Sequence, residues 1–399
     1  FVGEAGPADA LHIAFLRADR PGVRLTGHAA EMVRAMPGVV AVFAPGDMTM
    51  PGTAALNALL PVTAPPRFPL LASVAEAVGQ PIMAVVARTA HAARDGVEAL
   101  MPDFAEAESG APRDVVDHSW KAGSVAGQRE VSVTVRHARV AAMPLEPRGT
   151  VAAWDGKNLI VWLSTQTPFR ARQDFAAILG LAQEQVRVVA GDVGGAFGAK
   201  ASISPEEAIT VIAAHLLGTA VRWRGSREED LLSGTHGRGG LLHGTLALDD
   251  TGHIGGLRAR LKFPLGHWMP YSAVVPGRNA ARILPGPYAI DAIDIHLTET
   301  TEARAAMGIY RGAGRPEAAM LMERLMDEAA YALRLDPLEF RKNHVRAAAS
   351  LPGATSTGET LDSADFAGLL DEAAQRFDYA GLRREQIARR ARGEIFGIG

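Results

Sequence analysis

The sequence predicts a mixed α/β (α+β) protein of two domains, on three patterns. Short β-branched runs alternate with helical segments over residues 1–108. A glycine-dense loop then joins such a run to a capped helix. A β-rich stretch and a long amphipathic helix follow. Alternation of this kind, with helical and strand periods interleaved, is the pattern of layered α/β folds.

Residues 1–108 read as a small α/β domain. Runs 11–16, 39–43 and 81–86 are β-branched and read as strands, and 29–35 and 90–100 read as helices. The Pro-rich segment 49–69 reads as an extended excursion. Residues 109–130 are polar, contain Gly and Ser, and hold no sustained period, which predicts a linker. A second domain, 131–399, opens on the alternating run 131–136. Residues 145–154 and 158–163 read as strands around the turn Asp155-Gly156. Helix 168–179 is closed by Gly180, and 186–190 is a strand. Helix 205–217 starts on Ser204 as N-cap, Pro205 at the first helical position and Glu207 closing a capping box. A second hairpin, 241–248 and 254–263, turns at Asp249-Asp-Thr-Gly252. In helix 317–333, Leu321, Met322, Leu325 and Met326 keep helical spacing and form a core stripe. Asp336 caps a helix to 343, helices 364–377 and 379–392 follow, and 393–399 starts a strand.

The composition excludes several classes. Of 399 residues, 48% are hydrophobic and 21% charged, ordinary for a globular chain with ample core. A net charge of −3 gives no basic footprint for nucleic acid. The absence of cysteine excludes disulfides, a thiolate nucleophile and iron–sulfur ligation within this chain. No apolar run reaches the roughly 20 residues of a membrane span. His12, His28, His91, His243, His253 and His267 stand at no metal-ligand spacing.

The loop Gly191-Asp-Val-Gly-Gly-Ala-Phe-Gly-Ala-Lys200 carries the chemistry. Its glycines admit positive φ and close approach, and its amides face a helix start where an anion or oxo group can sit. A phosphate loop is excluded by Ala199 and Ala201 on either side of Lys200. A dinucleotide fingerprint is weak, since no G-x-G triplet lies in 191–198. Gln166 ends the strand before helix 168–179, so it shares the carboxyl edge of the sheet with the loop. Downstream, Tyr310-Arg-Gly-Ala-Gly314 offers a second flexible loop, and Arg311 offers a rigid guanidinium for an anionic oxygen. A salt bridge from Arg311 to Glu323 or Glu328 is the alternative.

Gly194-Gly-Ala-Phe-Gly-Ala-Lys200 resembles the G-G-G-F-G-x-K loop of the molybdenum hydroxylases, the family of xanthine dehydrogenase, aldehyde oxidase and carbon monoxide dehydrogenase. Met36-Pro-Gly-Val-Val-Ala-Val-Phe43, Glu146-Pro-Arg-Gly149 with Ser164-Thr-Gln166, and Tyr310-Arg-Gly-Ala-Gly314 fall in family order. The resemblance covers the N-terminal half of a large subunit. It implies a hammerhead-like domain followed by the first molybdenum-cofactor-binding domain, in a cytoplasmic enzyme. It implies a molybdenum–molybdopterin cofactor in its cytosine dinucleotide form. Implied partners are the C-terminal half of the subunit, a 2Fe-2S iron–sulfur subunit, a flavin subunit carrying FAD, and a small-molecule substrate. It implies that Gln166 and Arg311 are catalytic, Gln166 toward an oxo ligand of the metal and Arg311 toward anionic oxygen. It places Gly194, Gly195, Ala196, Phe197, Gly198 and Gly312 at the cofactor, with no protein ligand to the metal.

Departures narrow the implied chemistry. Gly312 stands where carbon monoxide dehydrogenases carry Cys, and Ala201 and Ala313 stand where xanthine dehydrogenases carry Glu and Phe. The implied reaction is hydroxylation of an aldehyde or N-heteroaromatic carbon with water as oxygen source. The family's glutamate base lies in the other half, so residues 1–399 alone are expected to be inactive and the C-terminal strand to be completed by further polypeptide. A non-catalytic binding module of this fold, or a dinucleotide-dependent oxidoreductase using 191–198, are the alternatives.

Overall fold

A computed structural model describes every residue except 58. The first part of the chain forms β1 (Leu11–Arg17), β2 (Val23–Gly27), α1 (Ala30–Arg34), β3 (Val39–Phe43), β4 (Val74–Ala75), β5 (Pro81–Ala87), α2 (Ala90–Glu98) and β6 (Asp103–Glu106). Next come β7 (Asp114–Ala122), β8 (Arg129–Arg136), β9 (Arg139–Ala141), β10 (Gly149–Trp154), β11 (Leu159–Leu163), α3 (Pro168–Leu179) and β12 (Val186–Val189). They lead to α4 (Pro205–Leu217), β13 (Val221–Arg224), α5 (Arg227–Ser233), β14 (His236–Arg238), β15 (Leu241–Leu248) and β16 (Ile254–Gly266). The chain continues through α6 (Val275–Ile283), β17 (Ile293–Thr301), α7 (Arg315–Leu333) and α8 (Pro337–Lys342). It ends with β18 (Gly353–Ala354), β19 (Thr360–Leu361), α9 (Phe366–Arg376) and α10 (Tyr379–Ala391).

Two sheets organise the molecule. The larger runs β12-β11-β10-β13-β1-β5-β3, and the second β7-β17-β16-β15-β8. Strand β5 is buried along its whole length because both its faces are covered. Ala84 and Val86 enter one core, Met83 and Val85 another. The larger sheet joins both halves of the chain: β1 pairs in parallel with β13 through Leu11↔Val221 and His12↔Arg222. An ion network crosses the same seam. Glu206 on α4, fully buried, accepts from Arg17 Nη1 at 2.7 Å, Arg148 Nη1 at 3.1 Å and Ser233 Oγ at 2.7 Å. Arg148 Nε also donates to Asp230 at 2.9 Å. In the second sheet, α6 and α7 pack on one face, with Leu257, Leu261, Ile295 and Leu297 meeting Leu321, Met322, Leu325 and Met326.

Two expectations are corrected. Residues 114–122 lie inside the expected 109–130 linker, yet they form β7, an edge strand paired to β17 from Ala122↔Ile293 to Asp114↔Thr300. Val115 and Val116 anchor it in the core, while Asp117, Ser119 and Lys121 face outward, so polarity masks its period. Residues 393–399 form no strand. Phe396 is instead held by Gln386 Nε2, which donates to its carbonyl at 2.9 Å, and by Arg389 stacked on its ring.

Candidate cofactor-binding site

Strands β11 and β12 run parallel and adjacent, from Leu159↔Val186 to Trp162↔Val189. Their carboxyl ends therefore deliver Ser164-Thr-Gln166 and the loop 191–200 to one edge, where the loop before β10 joins them. α4 begins just beyond, capped as expected: Ser204 Oγ accepts from Glu207 N and Glu207 Oε2 from Ser204 N.

An ionic knot fixes the three loops. Glu146 accepts from Gly194 N at 2.9 Å, Val2 N at 3.0 Å and Ser164 Oγ at 2.6 Å. Lys200 Nζ donates to Glu146 O and Ser164 Oγ, each at 2.8 Å, and to Glu146 Oε2 at 3.2 Å. Burial opposes ionisation of Glu146, but these hydrogen bonds and the Lys200 charge outweigh it and hold its pKa at about 2. The glycines are required by close approach of the chain to itself. A Cβ on Gly194 would lie 2.5 Å from Glu146 Cβ, and one on Gly198 (φ +100°) 2.6 Å from Ile309 O.

Gln166, the 194–198 loop and Arg311 are hydrogen-bonded to one another along this edge. Gln166 Oε1 accepts from Gly198 N at 2.9 Å, and Gln166 N donates to Lys200 O at 3.0 Å. That leaves the Gln166 side-chain NH2 without a partner among the described residues. The amides of Gly195, Ala196 and Phe197 also donate to nothing among the described residues. Arg311 N donates to Phe197 O at 2.9 Å, which seats the 310–314 loop, including Gly312 (φ +97°), against the glycine loop. The Arg311 guanidinium has no ion pair among the described residues. Glu323 is taken by Arg341 and Tyr288, and Glu328 by Arg324, so the alternative salt bridge is not formed. Phe197 is 42% exposed, and Gln166 and Arg311 are exposed as well.

A positioning side chain beyond these is Arg238. Its Nη2 donates to Arg311 O at 2.7 Å, its guanidinium stacks on Tyr310, and Glu317, fully buried on α7, holds it at 3.3 Å. The signal for it is Thr235-His-Gly-Arg238, a polar stretch entering a β-rich region.

The unpartnered set consists of donors: three consecutive loop amides, one side-chain NH2 and one guanidinium. Such a cradle suits an oxo or anionic group and not a cation. No cluster of three His, Asp or Glu suited to metal ligation occurs among the described residues. The protein therefore offers hydrogen bonds here, a fit to a metal carried on an organic, anionic cofactor. No described helix is long and apolar enough to cross a membrane.

Both parts of the chain resemble known proteins. Residues 108–345 match the model of a molybdopterin cofactor-binding domain, and residues 4–108 that of the a/b hammerhead domain of aldehyde oxidase and xanthine dehydrogenase. The chain is 29% identical to the nicotine 6-hydroxylase large subunit of Paenarthrobacter nicotinovorans, over 98% of this chain and 51% of that protein. It is 32% identical to the carbon monoxide dehydrogenase large chain of Hydrogenophaga pseudoflava, over 74% of this chain and 40% of that one. Quinoline 2-oxidoreductase from Pseudomonas putida 86 superposes with a TM-score of 0.91 at 25% identity, over 98% of this chain and 54% of that structure. The chain spans about half the length of these relatives or less.

Proposed function

The chain belongs to the large, molybdopterin-binding subunits of the molybdenum hydroxylases, and from that premise we propose that its exposed donors form one wall of the site for a molybdenum–molybdopterin cofactor. The observation that carries this is the set of unpartnered donors brought together by the Gly198–Gln166 and Arg311–Phe197 hydrogen bonds. When bound, the cofactor supplies Lewis acidity and accepts electrons. Gln166 would hold the group through its side-chain NH2, oriented by the Gly198 amide on its other atom. The amides of residues 195–197 add fixed dipoles that need no reorganisation as negative charge develops. Arg311, held at its carbonyl by Arg238, binds anionic oxygen on substrate. Glu146, locked by its donors at a pKa of about 2, is unsuited as a base.

The substrate is an N-heteroaromatic compound or an aldehyde hydroxylated with water as oxygen source. Two relatives named above, a nicotine hydroxylase and a quinoline oxidoreductase, support the heteroaromatic choice. Gly312 supplies no sulfur for carbon monoxide chemistry, and Ala201 and Ala313 supply no side chains to clamp a purine. The cofactor is assigned as the cytosine dinucleotide form. The working enzyme includes the rest of the large subunit and iron–sulfur and flavin subunits, in the cytoplasm. The test is the full-length enzyme purified with its partners. Molybdenum should be present by mass spectrometry, and Gln166→Ala should lower kcat on N-heterocycles about 10²-fold, the size expected for one lost preorganised donor. Unchanged kcat with unchanged molybdenum in Gln166→Ala would remove this reading.

A further inference from the structure

The outer face of the second sheet, turned away from α6 and α7, is polar. Its charges pair off along most of its length: Arg258 with Glu130, and Arg260 with Asp294 at 3.1 Å, while His296 Nε2 lies 3.1 Å from Asp117. At one end the pairing fails. Arg136 on β8 and Lys262 on β16 both sit opposite Leu241 of β15, one on each side of it. Neither has an ion-pair partner among the described residues. The two cations stand two strands apart on one sheet face, with Leu241 and no carboxylate between them.

These two residues line a cleft of about 620 Å³ with His137, Arg139 and Arg304. Arg304 likewise has no ion pair among the described residues. The carboxylate in the lining, Glu302, is already taken by Arg139. His137 Nε2 and Arg139 Nε are buried and have no hydrogen-bond partner among the described residues. A chain of net charge −3 thus concentrates unpaired positive charge in one concavity of ligand size. Part of the remaining wall, with Pro112, Leu241 and Pro264, is apolar.

The geometry points to a second binding site, for a phosphate-bearing small molecule, with the phosphates on Arg136, Lys262 and Arg304. Its lining shares no residue with the glycine-loop wall, and it does not depend on the proposed reaction. The test is calorimetric titration of the full-length enzyme with inorganic pyrophosphate and with a nucleoside diphosphate. Both should bind. Lys262→Ala and Arg304→Ala should each weaken binding about tenfold, the loss of one charge-assisted contact. All three side chains are exposed, so melting temperatures should be unchanged, and adding Arg136→Ala should abolish binding. Equal affinities for the two probes would assign the site to phosphate alone, and tighter nucleotide binding would give the apolar wall a base to hold; either supports the site. No heat from either probe, undiminished binding in the triple variant, or loss of binding in Arg311→Ala would overturn it.

Discussion

Lys200 spends each of its ammonium protons on a fixed acceptor, two on Glu146 and one on Ser164. Its side chain is 1% exposed, so no water replaces a lost partner. Lys200→Met should therefore destabilise the protein by about 3–5 kcal/mol, the scale for a buried pair broken on one side, read as a fall in melting temperature. Glu299 on β17 is the opposite case. It is fully buried, and neither carboxylate oxygen has a hydrogen-bond partner among the described residues. Burial alone pushes its pKa up to about 8 from an ordinary 4.5. The group is neutral in both folded and unfolded chains below pH 4.5. Between 4.5 and about 8 the unfolded chain ionises and the folded chain does not, so stability falls as pH rises through that window. Glu299→Gln removes this ionisation. It should melt above the parent at pH 8 and show a smaller or no advantage at pH 4.5; equal differences at both pH values would exclude the titration.

At the scale of elements, glycines decide how closely loops and helices approach. α6 passes β17 so tightly that a Cβ on Gly277 would meet Glu299 Oε1 at 2.2 Å. Gly277→Ala should destabilise by about 1–3 kcal/mol, the overpacking scale, and Glu299→Ala in the same chain should recover part of that loss. Gly198→Ala should not be rescued in this way. Its Cβ would strike Ile309 O as well as the Ile309 side chain, and its φ of +100° is strained for alanine. Gly198→Ala and Gly198→Ala with Ile309→Ala should therefore show equally lowered urea midpoints. These contacts mark how far the sequence could be read. The hairpin β10–β11, the capped α4 and the Met stripe of α7 were legible because each signal is local. Ile293-Asp-Ile-His-Leu-Thr alternates as cleanly as any strand, and β17 was open to the same reading. The polar edge of β7 was not legible, because its partner β17 lies some 170 residues away, from Lys121↔Asp294. Gln166, Phe197 and Arg311 could be named from motifs. What each glycine packs against, and that Arg238 supports Arg311, depends on contacts between distant segments.

For the molecule as a whole, the seam between the two halves rests on Glu206 and its two arginines. Burial raises the Glu206 pKa, but Arg148 and Arg17 more than offset that and hold it at about 2. Its contribution is complete above the unfolded value of 4.5 and is lost as pH falls toward about 2. Glu206→Ala removes the carboxylate the two arginines share, while Arg17 keeps Glu229 and Arg148 keeps Asp230; the buried donors left without an acceptor should lower stability by about 1–3 kcal/mol at pH 7, with a smaller difference near pH 2. An equal loss at both would assign the effect to packing. The shared sheet has a consequence in time. Leu11 and Val221 are neighbours in space and 210 positions apart in the chain. At about 5–20 residues per second, a ribosome reaches β13 roughly 10–40 s after it has made β1. Throughout that interval one edge of β1 has backbone amides and carbonyls with no strand beside them. A nascent chain therefore passes through a prolonged stage in which its first strand can join a neighbouring polysome product as readily as its own later segment.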